Sequence, residues 1–138
     1  MKLSLARLSK FDFLGVLLLR IGVGALIAFH GFPLLVGGTG GYERIGSPVV
    51  LIGITSFHLV FGLASAVIQA VGGLFLILGI LTRGISLLLA IVVGFAIANL
   101  ARSQSFDTAF FVYCQVCLAL FALVFIGPGR LSLDRKGV

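Results

Sequence analysis

The sequence predicts an all-α integral membrane protein, a bundle of four spanning helices, from three observations. The chain has 138 residues, of which 60% are hydrophobic and 10% charged, with a mean hydropathy of +1.27. A soluble domain carries roughly 25% charged residues, so this chain has too few to cover a soluble globule. Its apolar residues gather into four runs, and a spanning helix needs about 20 of them. Its basic residues stand at the ends of those runs, as in loops that meet lipid head groups. Length and pattern together predict one transmembrane domain over residues 1–138.

The first span is expected at about 13–35. Its opening stretch "FLGVLLL" resembles a signal peptide core, but Arg20 interrupts it and no small-residue cleavage site follows. It is therefore taken as a retained span. Residues 36–58 hold "VGGTGGYERIGSPVVLIGITSFH", whose glycines and Pro48 argue against a continuous helix. Val49 to Ile54 is too short to cross, so the segment is expected as a surface loop or a re-entrant cap over the bundle.

The second span is expected at about 59–81. Gly62, Ala66, Ala70 and Gly73 recur there at helical spacing, and small residues let spanning helices approach closely. That stripe should face the bundle and bring Gln69 with it. Thr82-Arg83-Gly84 is expected to end this span and open the third, at about 85–100. The fourth is expected at about 108–126, with Asp107 as its N-terminal cap and "GPGR" as its stop.

The charge of +6 is spread around the spans rather than gathered in one patch, so lipid head groups explain it better than nucleic acid does. With both termini on one side, that side holds Lys2, Arg7, Lys10, Arg83, Arg130, Arg135 and Lys136. The other holds Arg44 and Arg102. The positive-inside rule then implies cytoplasmic N- and C-termini.

Few side chains can carry chemistry. Arg20 lies inside the first span, where a charge needs a partner or a route to the interface. His30, in "FHGFP", sits near the outer end of the same span and suits a proton, a neighbouring helix or a quinone head group. His58 opens the second span. Two His without nearby carboxylates or thiolates imply no metal site. Gln69 bridges or binds but is no acid or base. The four acidic residues, Asp12, Glu43, Asp107 and Asp134, all flank spans, which argues against a proton pump built on buried carboxylates. "GGTGG" lacks the strand and helix context of a phosphate loop.

Cys114 and Cys117 stand in "YCQVCLAL" on one face of the fourth span. Cys114 is about 10 Å below the outer end of the helix, at 1.5 Å per residue. Apolar burial disfavours thiolate there, so packing is the first expectation and a disulfide switch the second. The vitamin K epoxide reductase-like proteins also pair a four-helix membrane bundle with C-x-x-C, but they use a further cysteine pair in an outer loop, which a chain with two Cys lacks.

The whole pattern resembles the DoxX family of small four-helix membrane proteins. The likeness rests on "LLLRIGVGALIAFHGFP", "QAVGGLFLILGILTR" and "GPGRLSLD" and runs from about Leu17 to Asp134. It implies four transmembrane helices in a bacterial inner membrane and a link to redox metabolism. Relatives are associated with thiosulfate:quinone oxidoreductase, quinol oxidase complexes and thiol homeostasis. The family often has a Lys where this chain has Leu34, a Glu where it has Gln69, a His where it has Asn99, and a carboxylate early in the fourth span where it has "FFVY". Arg20 and His30 match.

The expectation is a membrane subunit or anchor of a quinone- or thiol-linked oxidoreductase system, with a soluble or membrane oxidoreductase as partner and quinone as ligand. Its binding site would involve Arg20, His30, Gln69 and Asn99. His30, Cys114 and Cys117 are the candidate catalytic groups. A non-catalytic scaffold or lipophilic-ligand-binding protein is the alternative, and a small-solute transporter the third.

Overall fold

The computed structural model describes residues 11–54 and 56–136, and these are helical, without strands. Four long helices run Asp12–Val36 (α1), His58–Leu78 (α3), Thr82–Arg102 (α4) and Thr108–Ile126 (α5). Each is long and apolar enough to cross a membrane; the shortest, at 19 residues, reaches about 28 Å. The outer surface of the bundle is apolar, with Leu18 75%, Phe29 80% and Phe125 81% exposed. Such a continuous surface suits lipid rather than water. Lys2, Arg7 and Lys10 of the charge count lie outside the described residues.

The segment between α1 and α3 is more ordered than a loop. It forms α2 (Gly38–Gly46) and a 3-10 turn over Ser47–Ile52 that Gly53 ends in the left-handed region at φ 83°. It folds over one end of the bundle, here termed the cap end. Gly46 and Gly62 let α2 lie backbone to backbone on the first turns of α3, since a Cβ at Gly46 would collide with His58 and one at Gly62 with Tyr42. The Tyr42 hydroxyl donates to the Leu35 carbonyl, and Val49 is fully buried beneath the turn. Glycines that discourage a free helix therefore permit this packed one.

α1 and α3 form the tightest pair. Gly24 and Gly73 face each other, and a Cβ on either would lie 2.7 Å or 2.6 Å from the other's carbonyl oxygen. Gly62, Ala66, Gln69, Ala70 and Gly73 are all buried, so the small-residue stripe faces the bundle and carries Gln69 inward as its spacing implies. Val23, Ile27, Leu76, Leu89, Leu120 and Leu123 fill the remaining core.

The α3–α4 boundary differs from the expectation. α3 stops at Leu78, because Gly79 adopts the left-handed region at φ 71° and Ile80 donates back to Phe75 at 2.9 Å. Thr82, Arg83 and Gly84 then belong to α4 rather than to a break before it. The cap that allows this is distant in sequence. Asp134 accepts from the Leu81 and Thr82 backbone N–H groups at 2.6 and 2.9 Å, and its own N–H donates to the Gly79 carbonyl at 3.1 Å. Leu81 sits at φ 47°, a left-handed conformation costing about 1 kcal/mol or more, and the bond to Asp134 offsets it. At α5 the cap is local, as expected: Asp107 accepts from the Phe110 N–H at 3.2 Å.

Burial pushes the Asp134 carboxyl up, but the Thr82 and Leu81 N–H groups and the charge of Arg20 outweigh it and hold the group below its ordinary range. A depressed carboxylate stabilises the fold fully above its unfolded pKa, near ~3.9, and loses that contribution as pH falls through the lower folded value. Asp134→Ala is expected to cost about 1 kcal/mol at neutral pH, as loss of a helix cap does. The gap between wild type and variant should close on acidification, as pH falls through the lowered folded pKa. Detergent-phase unfolding at neutral and acid pH checks this, and a gap that persists in acid would contradict the carboxylate's role.

Candidate functional site

Two side-chain clusters stand out, one at each end of the bundle. At the end opposite the cap, Arg20 is 2% exposed. Its guanidinium donates to the Pro128 carbonyl and, at 2.6 Å, to the Leu131 carbonyl. These carbonyls face inward because "GPG" turns the chain sharply after α5: Gly127 and Gly129 have φ 82° and 73°, conformations in which a side chain is strained. Arg20 thus reaches along α1 toward the interface and holds the C-terminal segment across the end of the bundle, while Asp134 in that segment caps α4. Thr82 Oγ1 and Ser86 Oγ are buried nearby on α4 without partners among the described residues.

The second cluster is a cavity of about 350 Å³ under the cap. His30 and Leu34 enter it from α1, Gln69 from α3, Asn99 from α4 and Tyr113 from α5. Arg44 closes it from α2. The His30 and Tyr113 rings meet edge to face with centroids 6.1 Å apart. Gln69 is 8% exposed, and its carboxamide makes no hydrogen bond to another described residue. Its polar atoms are open to the cavity rather than sealed in the core, so the group can hydrogen-bond a ligand there. No carboxylate lines the cavity among the described residues.

A second lobe of about 310 Å³ continues from the first and shares His30, Gln69 and Tyr113 with it. The rest of its wall is apolar except for Thr108, with Leu26 and Ile27 from α1 and Val112 and Val116 from α5. The lobe exists because α1 and α5 pack loosely at this level, whereas α1 is clamped to α3 by glycines.

Three of the four candidate binding residues, His30, Gln69 and Asn99, therefore converge. Arg20 does not join them: it is ten residues from His30 along α1, or about 15 Å, and is bound to backbone at the other end. Cys114 and Cys117 line neither lobe. Both are free thiols, half-buried, and Cys117 packs against the core with its Sγ 3.9 Å from the Ala90 carbonyl oxygen. Among the described residues no group of His, Cys, Asp and Glu is arranged to hold a metal ion. In sequence Arg44 is only a loop charge, and Tyr113 carries no chemical signal of its own. Tyr113 falls three and four residues before Val116 and Cys117 on the inward stripe of α5 that continues to Leu120 and Leu123, a usable signal, whereas nothing local in sequence places Arg44 over the cavity.

Of the positions at which the sequence departs from the resemblance, Leu34, Gln69 and Asn99 line this cavity, and of "FFVY" Tyr113 does. A site so lined donates and accepts hydrogen bonds from neutral groups, with one guanidinium at its rim. A family model described as DoxX matches residues 15–102, which spans α1 to α4 and so includes every cavity residue except those of α5. No curated protein and no solved structure matches the chain.

Proposed function

Because the chain belongs to the DoxX family, we propose that it serves as a membrane subunit or anchor of a quinone-linked oxidoreductase system, with the cavity under the cap holding the quinone head. The observation that carries this is the convergence of His30, Gln69, Asn99 and Tyr113 on a cavity that continues into a largely apolar lobe. A quinone offers carbonyl oxygens that accept hydrogen bonds, and the Gln69 and Asn99 carboxamides and the Tyr113 hydroxyl are donors in reach of such a group. When bound, the quinone supplies the electron-carrier chemistry. The His30 ring can donate a hydrogen bond from one nitrogen and accept one at the other. The apolar surroundings exclude water and strengthen each hydrogen bond.

This reading places the chain in a bacterial inner membrane with cytoplasmic termini, which puts the cavity on the outer side. An oxidoreductase partner supplies or takes the electrons. The thiol-linked variant of this role has less behind it, because Cys114 and Cys117 line neither lobe of the cavity. Purification in mild detergent followed by mass spectrometry is the direct test. Quinone is expected to co-purify with wild type. With Gln69→Leu and Asn99→Leu combined, occupancy should fall at least about tenfold, as loss of two hydrogen bonds of about 1 kcal/mol each implies. Wild type free of quinone, or a variant with equal occupancy, would refute the reading and leave a scaffold or a transporter as the alternatives.

A further inference from the structure

The two lobes differ in a way that bears on how a ligand arrives. The polar lobe lies under α2, with Arg44 at its rim. The apolar lobe opens between α1 and α5, where Leu26 is 65% and Val112 48% exposed. Those side chains belong to the same apolar surface as Leu18, Phe29 and Phe125, which the bilayer covers. The path from lipid to Gln69 therefore runs past mainly apolar side chains, with Thr108 among them, while the cap covers the polar lobe from above.

We propose that the cavity takes an amphiphile directly from the bilayer, sideways between α1 and α5, and binds it with its oxygen-bearing head under Arg44 and its apolar chain left in the α1–α5 fissure. This rests on the cavity being a ligand site, as proposed above. Charge and solvation fix the direction of the ligand. A guanidinium at the rim and two carboxamides within, with no lining carboxylate among the described residues, attract acceptor oxygens. A chain of methylenes has no polar group to match there, and in the fissure it replaces lipid against Leu26 and Val112 at little cost. Access through the fissure also requires no opening of α2, which is held to α3 by the Gly46 and Gly62 contacts.

Two benzoquinones with the same ring, one carrying a ten-carbon chain and one carrying none, separate the lobes. Binding of each is measured on wild type, Val112→Trp, Leu26→Trp and Arg44→Gln in nanodiscs of fixed lipid content, so that partition into lipid is common to all. Both tryptophans replace exposed side chains and fill the fissure rather than the core. Each is expected to weaken the chain-bearing quinone at least tenfold and to change the tail-less one less than twofold. Arg44→Gln should weaken both. A diazirine placed in the chain of the first quinone should label peptides containing Leu26 or Val112, a result independent of the variants. If the chain-bearing quinone binds both tryptophan variants as it binds wild type, or labels the cap instead, lateral access is wrong while the head-group site stands. If neither quinone binds wild type, the head-group site falls, and this proposal with it.

Discussion

Arg20→Ala is expected to destabilise the protein by about 3 kcal/mol and to free the C-terminal segment from the end of the bundle. The side chain is 2% exposed and donates to two backbone carbonyls more than a hundred residues away, those of Pro128 and Leu131. Hydrogen bonds from a charged donor contribute about 1.5–3 kcal/mol each, and their loss leaves two carbonyls without donors. Water can reach part of that end of the bundle, which keeps the effect near the lower end of the combined range. Arg20→Lys should recover about half, because an ammonium is one point donor and cannot span two carbonyls as the guanidinium fork does. Unfolding in mixed micelles measures the stability change, and amide exchange at residues 131–134 measures the release. A variant that matches wild type in both would show that Arg20 tethers nothing. Folded Arg20→Ala should still bind ligand normally, since the cavity lies about 15 Å away along α1.

Gly31→Ala should be at least as damaging, at about 3 kcal/mol or more, and for a different reason. A Cβ at Gly31 would collide with the Ala70 backbone nitrogen and lie 2.8 Å from both the carbonyl carbon and the Cβ of Gln69. The atoms in the way are mostly backbone, so α1 and α3 must separate. Overpacking commonly costs about 1–3 kcal/mol, and a pair held by close backbone contact has little else to compensate in lipid. The separation also moves Gln69, so ligand affinity should fall together with stability. Gly22→Ala is the control. A Cβ there meets nothing within 4 Å, and Ala is the better helix former, so no loss is expected. Equal tolerance of the two alanines would remove the close α1–α3 contact from the account.

The sequence was most legible where a property is local or periodic. Arg20 announced a need for partners by being a charge within a span, yet its partners could not be named, since backbone carbonyls carry no sequence signal. Gln69 was placed correctly because the small residues around it repeat at helical spacing, and that spacing marks one face. Asp107 was legible as a cap because the N–H it accepts from is three residues on. Asp134 was not, because the helix it caps begins 52 residues earlier; the expected break at Thr82-Arg83-Gly84 moved to Gly79–Leu81 for that reason. The glycine-rich segment was expected as a loop or cap and is helical, since Gly46 and Gly62 owe their value to a close approach that appears only when α2 meets α3.

By itself the sequence determined the solvent, the number of spans and the inward face of α3, because hydropathy and spacing act within one helix. It also marked His30, Gln69 and Asn99 one by one as polar groups in apolar surroundings. Only the tertiary structure decided that these three share a cavity with Tyr113 and Arg44, that Arg20 belongs to the opposite end, and that the cysteines line neither lobe. The physical reason is that a helix's own pattern states which side is buried but not which helix covers it. That choice is made by contacts between distant segments, here the glycine contacts of α1 with α3, the cap folded over the bundle and the C-terminal segment held by Arg20.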